Sequence, residues 1–356
     1  MLSCTRMKTR DTARLSDVAR AAEVSLSTAS RALADPALVR PETRERVRQA
    51  AELLRYVPHG AARALASRRS RTIGAVVPTL DNPIFANSTQ ALQRSLGEAG
   101  YTLLLASHEY DSKTEISVTR ALVERGVDGL VFVGTDHSPE FFQFLASSGV
   151  LFELTWAIDP NGHHHCVGFS NRVAAIRIAH HLLDLGHTNL AMISGYTANN
   201  DRARERVAGV RDALAARGLA LADDHLVETA FSVGSGRLAL RELLARDSTI
   251  TAVVCGNDIL ALGALVEAAA RGVAVPRQLS VTGFDDIELA GEISPALTTI
   301  HIPTAEIGRR AAERLLARLE GRKVKRGEEL PVDLVIRESS GPPPASAPGE
   351  RAPSQG

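Results

Sequence analysis

Three cysteines in 356 residues, Cys4, Cys166 and Cys255, are widely separated and match no paired metal-binding or redox spacing. They are expected to be reduced, with Cys255 a small apolar residue ending a strand. Aromatic residues make up only 4% of the chain, with a single tryptophan. No apolar run approaches the ~20 residues of a membrane-spanning helix, and the first fourteen residues, MLSCTRMKTRDTAR, lack the apolar centre of an export signal. A cytoplasmic protein with no membrane partner is therefore expected. Net charge is also absent, with 41 basic residues balancing 41 acidic ones.

That zero hides an asymmetry. Before Thr72 there are 15 Lys and Arg against 7 Asp and Glu, leaving 26 against 34 for the rest. A cationic head gains affinity for a polyanion by releasing its condensed counterions, whereas an anionic body is repelled by the same partner. Only the head is expected to touch DNA. Within it, residues 15–33 read LSDVARAAEVSLSTASRAL. Ser16 can cap a first helix with Val18, Ala19 and Ala22 on its apolar side. Glu23 and Val24 make a turn, and Ser25 can cap a second helix that projects Leu26, Ser27, Thr28 and Arg31. This is the geometry of a helix-turn-helix with a recognition helix. Pro41 and Glu42 open a third helix, with Val47, Ala50, Ala51 and Leu54 as its buried stripe. The next segment, YVPHGAARALASRRS, is basic and nearly free of large apolar residues apart from Leu65, so a helix there needs a partner's support to form.

From Arg71 onward, short apolar runs alternate with helical stretches: IGAVVP, YTLLLA, VDGLVFVG and VLFEL, and after Asn171 LAMIS, TAVVCGND and LSVTGFDD. Regular alternation of strand and helix predicts parallel sheets covered by helices, here as two similar lobes. HIPTAEIGRRAAERLLARLEG and LPVDLVIRES add a helix and a strand. Ligands of such sheets bind at the carboxyl ends of strands, which places the expected site in the cleft between lobes. The boundaries expected are a disordered tail over 1–13, a helix-turn-helix domain over 14–57, a hinge over 58–70, a core over 71–338 and a disordered Pro/Gly/Ser-rich tail over 339–356. The N-lobe takes about 71–170 and 301–328, and the C-lobe about 171–300 and 329–338.

These motifs, with PETRERV, YVPHGAARALA, VVPTLDNPIFA, VGFSN, NDRARERVAGVRDAL and LTTIHIP, resemble the lac repressor family over essentially the whole chain. The resemblance implies an all-α DNA-binding head, a hinge helix, and a core like that of periplasmic binding proteins. It assigns Leu26, Ser27 and Arg31 to base edges in the major groove, Ser25, Thr28 and Ser30 to phosphates, and Leu65 to a minor-groove wedge that kinks the duplex; Ser16, His59 and Ala62 complete the DNA-contacting set. Arginine suits its role because its fork bonds both acceptors of a guanine edge. The cleft contacts carried over are Asn82, Phe85, Trp156, Asn200, Asp201, Arg206, Phe231, Asn257 and Asp285. Together they suit a small polar effector such as a sugar, sugar acid or nucleoside. Two hinges side by side imply a homodimer on a palindromic operator. The function expected is a ligand-controlled transcription regulator, most simply a repressor, with no cofactor and no metal.

Several residues have a competing reading. Asp285 can cap the following turn, Asp258 is read as a helix cap, and Trp156 can be core. Ser170 stands where the family has aspartate, and Glu153 interrupts an apolar strand, where a carboxylate needs a partner or an edge. Arg55 occupies a helix end where Gly or Asn is usual. The triple histidine His163–His165 is read as a surface loop, because adjacent residues rarely converge on one ion. A solute-binding protein would lack the basic head. An enzyme would need a nucleophile elbow, phosphate loop or metal constellation, and Gly234–Gly236 reads only as a helix start.

Overall fold

The computed structural model describes residues 13–34, 38–57 and 69–344. The chain forms two compact units, divided between Arg71 and Thr72. Residues 1–12 of the tail expected over 1–13, most of the expected hinge, and residues 345–356 lie outside the described residues.

The first unit holds helices α1 (Leu15–Ala21), α2 (Leu26–Ala34) and α3 (Pro41–Leu53). Helix α1 starts two residues earlier than a Ser16 cap would place it. Arg14 is its N-cap, and the Asp17 carboxylate turns back to accept the Arg14 backbone N–H at 2.9 Å, so Ser16 sits exposed in the first turn instead of capping it. An acidic residue three positions into the helix satisfies an otherwise free donor and meets the positive end of the helix dipole. Glu23, at φ 52°, makes the turn, and Val24 plugs it from above the small core of Val18, Ala19, Ala22, Ala29, Ala32, Val47, Ala50 and Ala51. So many alanines let three short helices approach closely. Pro41 opens α3, and Arg55 ends it in the left-handed region at φ 50°.

In the second unit the elements run β1 (Thr72–Val77), α4 (Pro83–Glu98), β2 (Thr102–Ser107), α5 (Ser112–Glu124), β3 (Gly129–Val133), α6 (Pro139–Ser148), β4 (Leu151–Thr155) and β5 (Cys166–Gly168). Next come α7 (Asn171–Asp184), β6 (Leu190–Gly195), α8 (Asp201–Ala215), β7 (Leu226–Thr229), α9 (Val233–Arg246), β8 (Ala252–Cys255), α10 (Asp258–Ala270) and β9 (Ser280–Thr282). The chain closes with α11 (Glu288–Glu292), β10 (Thr299–His301), α12 (Thr304–Leu319), β11 (Gly327–Glu329) and β12 (Asp333–Val335). One lobe is a parallel six-stranded sheet in the order β11-β5-β4-β3-β1-β2, and the other a parallel four-stranded sheet in the order β7-β6-β8-β9. An antiparallel β10–β12 pair forms a small third sheet. Helix α12 packs against α4 and its return strand β11 pairs with β5, so the late part of the chain completes the first lobe.

The C-terminal segment departs from expectation. Residues 339–341 are not a loose tail but a stitched edge of the second lobe. Ser339 is fully buried, its carbonyl accepts the Val281 N–H at 2.8 Å, and its hydroxyl donates to the Val281 carbonyl while accepting the Thr298 N–H. The Gly341 carbonyl lies 2.8 Å from His187 Nε2. Hydroxyl and imidazole partners thus satisfy backbone groups that a Pro/Gly/Ser composition would leave to water.

Glu153 finds its partners. Strand β4 is internal, and the carboxylate is fully buried between Arg314 at 2.5 Å and Arg318 at 3.2 Å, both from α12. Arg314 also reaches Glu328 and the carbonyls of Lys325 and Arg326, so the pair ties β4, α12 and β11 together.

Candidate functional site

Two surfaces carry the candidate residues. In the head, the Ser25 hydroxyl accepts the Thr28 N–H at 3.1 Å and lies within 2.9 Å of the Ser27 hydroxyl and 2.8 Å of that of Thr28. Ser25 therefore caps α2, as the sequence suggests. Leu26 is 55% exposed, and Ser27 and Arg31 are exposed with it, while Thr28 and Ser30 are half-buried. An apolar side chain held in water beside a hydroxyl cluster and an exposed guanidinium has no use in the head's own core. His59, Ala62 and Leu65 lie outside the described residues.

In the body, Asn82, Phe85, Trp156, Asn200, Arg206, Phe231, Asn257 and Asp285 line one narrow pocket between the lobes. Three of them are helix caps. Asn82 accepts the Ile84 N–H at the start of α4, Asn200 the Ala203 N–H at the start of α8, and Asn257 the Leu260 N–H at the start of α10. Three helix N-termini, each with a partial positive charge, thus converge on the pocket. The cap of α10 is Asn257 rather than Asp258. Asp258 instead accepts from the Thr299 hydroxyl and the Ile287 N–H, which tie the crossover to the sheet, and burial raises its carboxyl to about 6.

Arg206 is the pocket's central cation. It donates to Asn171 Oδ1 at 2.9 Å and to the Gly256 carbonyl at 2.6 Å, and its guanidinium lies 3.7 Å from the Phe284 ring centroid. Burial pulls its pKa down to about 10, which leaves it charged at neutral pH. Asp285 stands 3.6 Å away, too far for a hydrogen bond, with its backbone at φ 119°. Burial raises its carboxyl well above the usual range, against the pull of Arg206. Phe85 and Trp156 meet edge to face at 5.2 Å, and Phe231 lies over Gly195, where an added Cβ would fall 2.0 Å from the ring.

Within this wall three buried polar atoms have no hydrogen-bond partner: Asn257 Nδ2, Asp285 Oδ1 and the Ser194 hydroxyl. Each such atom costs stability unless a partner arrives, so a cluster lining one pocket marks where a hydroxylated or amide-bearing ligand would bind.

The structure also revises the set. Asp201 does not line the pocket; both its oxygens are engaged, one by the backbone N–H and hydroxyl of Thr135 and the other by Arg202. Tyr110, Ser194 and Arg202 line the pocket and escaped the sequence reading. Ser194 carried a signal, a hydroxyl near the carboxyl end of the apolar strand LAMISG. Arg202 was masked by the charge-dense run NDRARER, and Tyr110 by a loop. Neither family departure reaches the pocket wall, since Ser170 caps α7 by accepting the Val173 N–H at 3.2 Å and Glu153 is tied to α12. His163 and His164 lie in a loop whose shape is set by Asp159, which accepts both of their backbone N–H groups at 2.8 Å. No cluster of three or more candidate metal ligands occurs among the described residues.

Comparisons with known proteins agree with this division. Residues 14–59 match the profile of bacterial regulatory proteins of the lacI family, and residues 179–340 that of a periplasmic binding protein-like domain. The transcriptional regulator GntR of Pseudomonas aeruginosa is 36% identical over 336 residues, covering 93% of this chain and 97% of that protein. Catabolite control protein A of Priestia megaterium is 30% identical over 91% of this chain and 98% of its own length. Among solved structures, the lac repressor dimer bound to operator and the anti-inducer ONPF superposes with a TM-score of 0.82 at 26% identity, covering 93% of this chain and all of that one. A complex of the regulator CelR with cellobiose gives 0.70 at 28% identity, over 92% of this chain and all of that one. With the capped helix-turn-helix at one end and the two-lobed core at the other, the chain belongs to the lacI family of DNA-binding transcription regulators.

Proposed function

We propose that this regulator is a repressor that binds a palindromic operator as a homodimer in the cytoplasm and is controlled by a small polar effector held between the lobes. The observation that carries the effector reading is the cluster of buried polar atoms without hydrogen-bond partners at Ser194, Asn257 and Asp285, set among the aromatic faces of Phe85, Trp156 and Phe231. A sugar or sugar acid matches this wall: ring hydroxyls for the three polar atoms, C–H faces for the aromatics, and negative charge for Arg206 and the convergent helix ends. Leu26, Ser27 and Arg31 are the proposed base contacts, with Ser16, Ser25, Thr28 and Ser30 nearer the phosphates. His59, Ala62 and Leu65 would complete the contacts from the hinge.

The sign of the response depends on which lobe arrangement the effector prefers, because a ligand shifts an equilibrium only by its differential affinity for the two states. Selection of bound sequences from random DNA at physiological salt tests the reading directly. A motif with two inverted half-sites is the expected result. Enrichment of a single unpaired half-site removes the dimer, and no enrichment with or without pooled metabolites removes the operator reading.

A further inference from the structure

Asp201, displaced from the ligand set, has another employment. It opens helix α8 in the second lobe, yet Asp201 Oδ2 accepts the backbone N–H of Thr135 at 2.7 Å and the Thr135 hydroxyl at 2.9 Å, and Thr135 follows strand β3 of the first lobe. One helical turn on, Arg204 pairs with Asp136 at 2.7 Å. Between them the Arg202 guanidinium, held by Asp201 Oδ1 at 2.8 Å, lies across Gly134 so closely that an added Cβ would fall 2.1 Å from Arg202 Nη1. Gly134 is at φ 91°, which a side chain would also disfavour. The sequence Gly134-Thr135-Asp136 on one lobe thus meets Asp201, Arg202 and Arg204 on the other.

The first-lobe half is itself anchored. His137 is almost fully buried, stacked on Phe141, with Nδ1 3.0 Å from Glu115 and Nε2 3.3 Å from the Gly134 carbonyl. The Asp201 carboxyl is raised by burial, but Arg202 and the Thr135 donors outweigh this and hold it below its ordinary range, as an ionised acceptor requires.

We propose that Asp201, Thr135, Arg204 and Asp136 form a latch that holds the two lobes together, with Asp201 as a positioning residue that sets Arg202 in the pocket wall. The Arg204–Asp136 pair is partly exposed and contributes little by itself, whereas the charge-assisted bonds to Asp201 are nearly buried and carry the latch. Since Asp201 holds both Thr135 of the latch and Arg202 of the pocket wall, lobe contact and pocket shape are set by one side-chain arrangement.

Hydrogen exchange read by mass spectrometry on the intact chain, without added ligand, tests the latch. Asp201→Asn is expected to accelerate exchange at least about tenfold in the segment carrying the Thr135 amide and in the first turn of α8, leaving α10 unchanged. Thr135→Val, which removes only one hydroxyl, is expected to give a smaller acceleration in the same two segments and serves if Asp201→Asn fails to fold. Faster exchange confined to α8 would reduce Asp201 to a helix-stabilising residue and overturn the latch, as would unchanged exchange at Thr135 in both variants. A lower melting temperature with both segments still protected would overturn it too.

Discussion

Single side chains divide here into those that hold the fold and those held ready by it. Arg31 belongs to the second kind, exposed on α2 and absent from the head's core. Arg31→Ala is expected to leave the thermal stability of the head unchanged while costing about 1–3 kcal/mol in discrimination at one base position, read as a relaxed motif in sequence selection. An unaltered motif would remove Arg31 from the base contacts. Ser194 gives the complementary case. Its buried hydroxyl has no partner, so Ser194→Ala is expected to leave urea stability unchanged or raise it by about 1 kcal/mol, while weakening effector binding. Lost stability would mean that the hydroxyl serves the fold. Both residues show how far one chain of letters can be read. Arg31 was legible because its neighbours set its direction within a single helix. At Glu153 only the need for a partner was legible, since Arg314 lies 161 residues away and nothing in VLFEL points to it.

Elements were legible wherever their signal was local. The three head helices and the long strands and helices of the body follow from periodicity and caps, although Asp17 shifted the start of α1 away from Ser16. Strands β5, β7 and β11, of 3, 4 and 3 residues, are too short to show alternation and exist because a neighbouring strand offers its edge. The end of α3 is a local feature with a local cost. Arg55 sits at φ 50°, where glycine is free of strain, so Arg55→Gly is expected to stabilise the helix end by about 0.5–1 kcal/mol, seen as slower amide exchange in α3. Faster exchange would mean that the arginine side chain contributes more than its backbone costs.

Helices α9 and α10 are joined differently. Glu267 of α10 meets Arg241 at 2.8 Å, Arg271 at 3.0 Å and Arg237 at 3.4 Å, and these bonds, led by that to Arg241, hold its carboxyl down to about 2. A lowered pKa in the folded state contributes stability above the unfolded value of 4.5, and that contribution fades as pH falls toward 2. Wild type should therefore melt above Glu267→Gln at neutral pH, with the gap closing on acidification through this window. A gap independent of pH would show that packing, not charge, joins the two helices.

At the scale of the whole molecule, the pocket was legible as a list but not as an arrangement. Six candidates converge from loops just past the ends of separate strands, and Phe85 and Arg206 from the opening turns of the helices that follow, which is what open parallel sheets do with residues at their carboxyl edges. Asp201 fell outside because its neighbour Arg202 took the inward position and left Asp201 facing the other lobe. The proposed regulator needs its two functions to be separable: contact with DNA belongs to the head, and the response to a ligand belongs to the pocket.

Asp285 tests the separation. Its Oδ1 makes no hydrogen bond, only a 3.6 Å ion pair with Arg206, and Arg206 is also held by bonds to Asn171 and the Gly256 carbonyl that do not involve Asp285. Asp285→Ala should therefore preserve the fold and leave ligand-free operator affinity within about twofold of wild type, a change of ~0.4 kcal/mol. The same variant should lose most of the response to any metabolite fraction that shifts the wild-type operator affinity, since coupling between two sites is bounded by the effector's differential binding energy and vanishes with it. Titration of operator DNA with and without that fraction reads both quantities in one experiment. Retained response would place the effector elsewhere, and lost operator binding without effector would mean that Asp285 sets the lobe arrangement itself rather than its sensitivity to ligand.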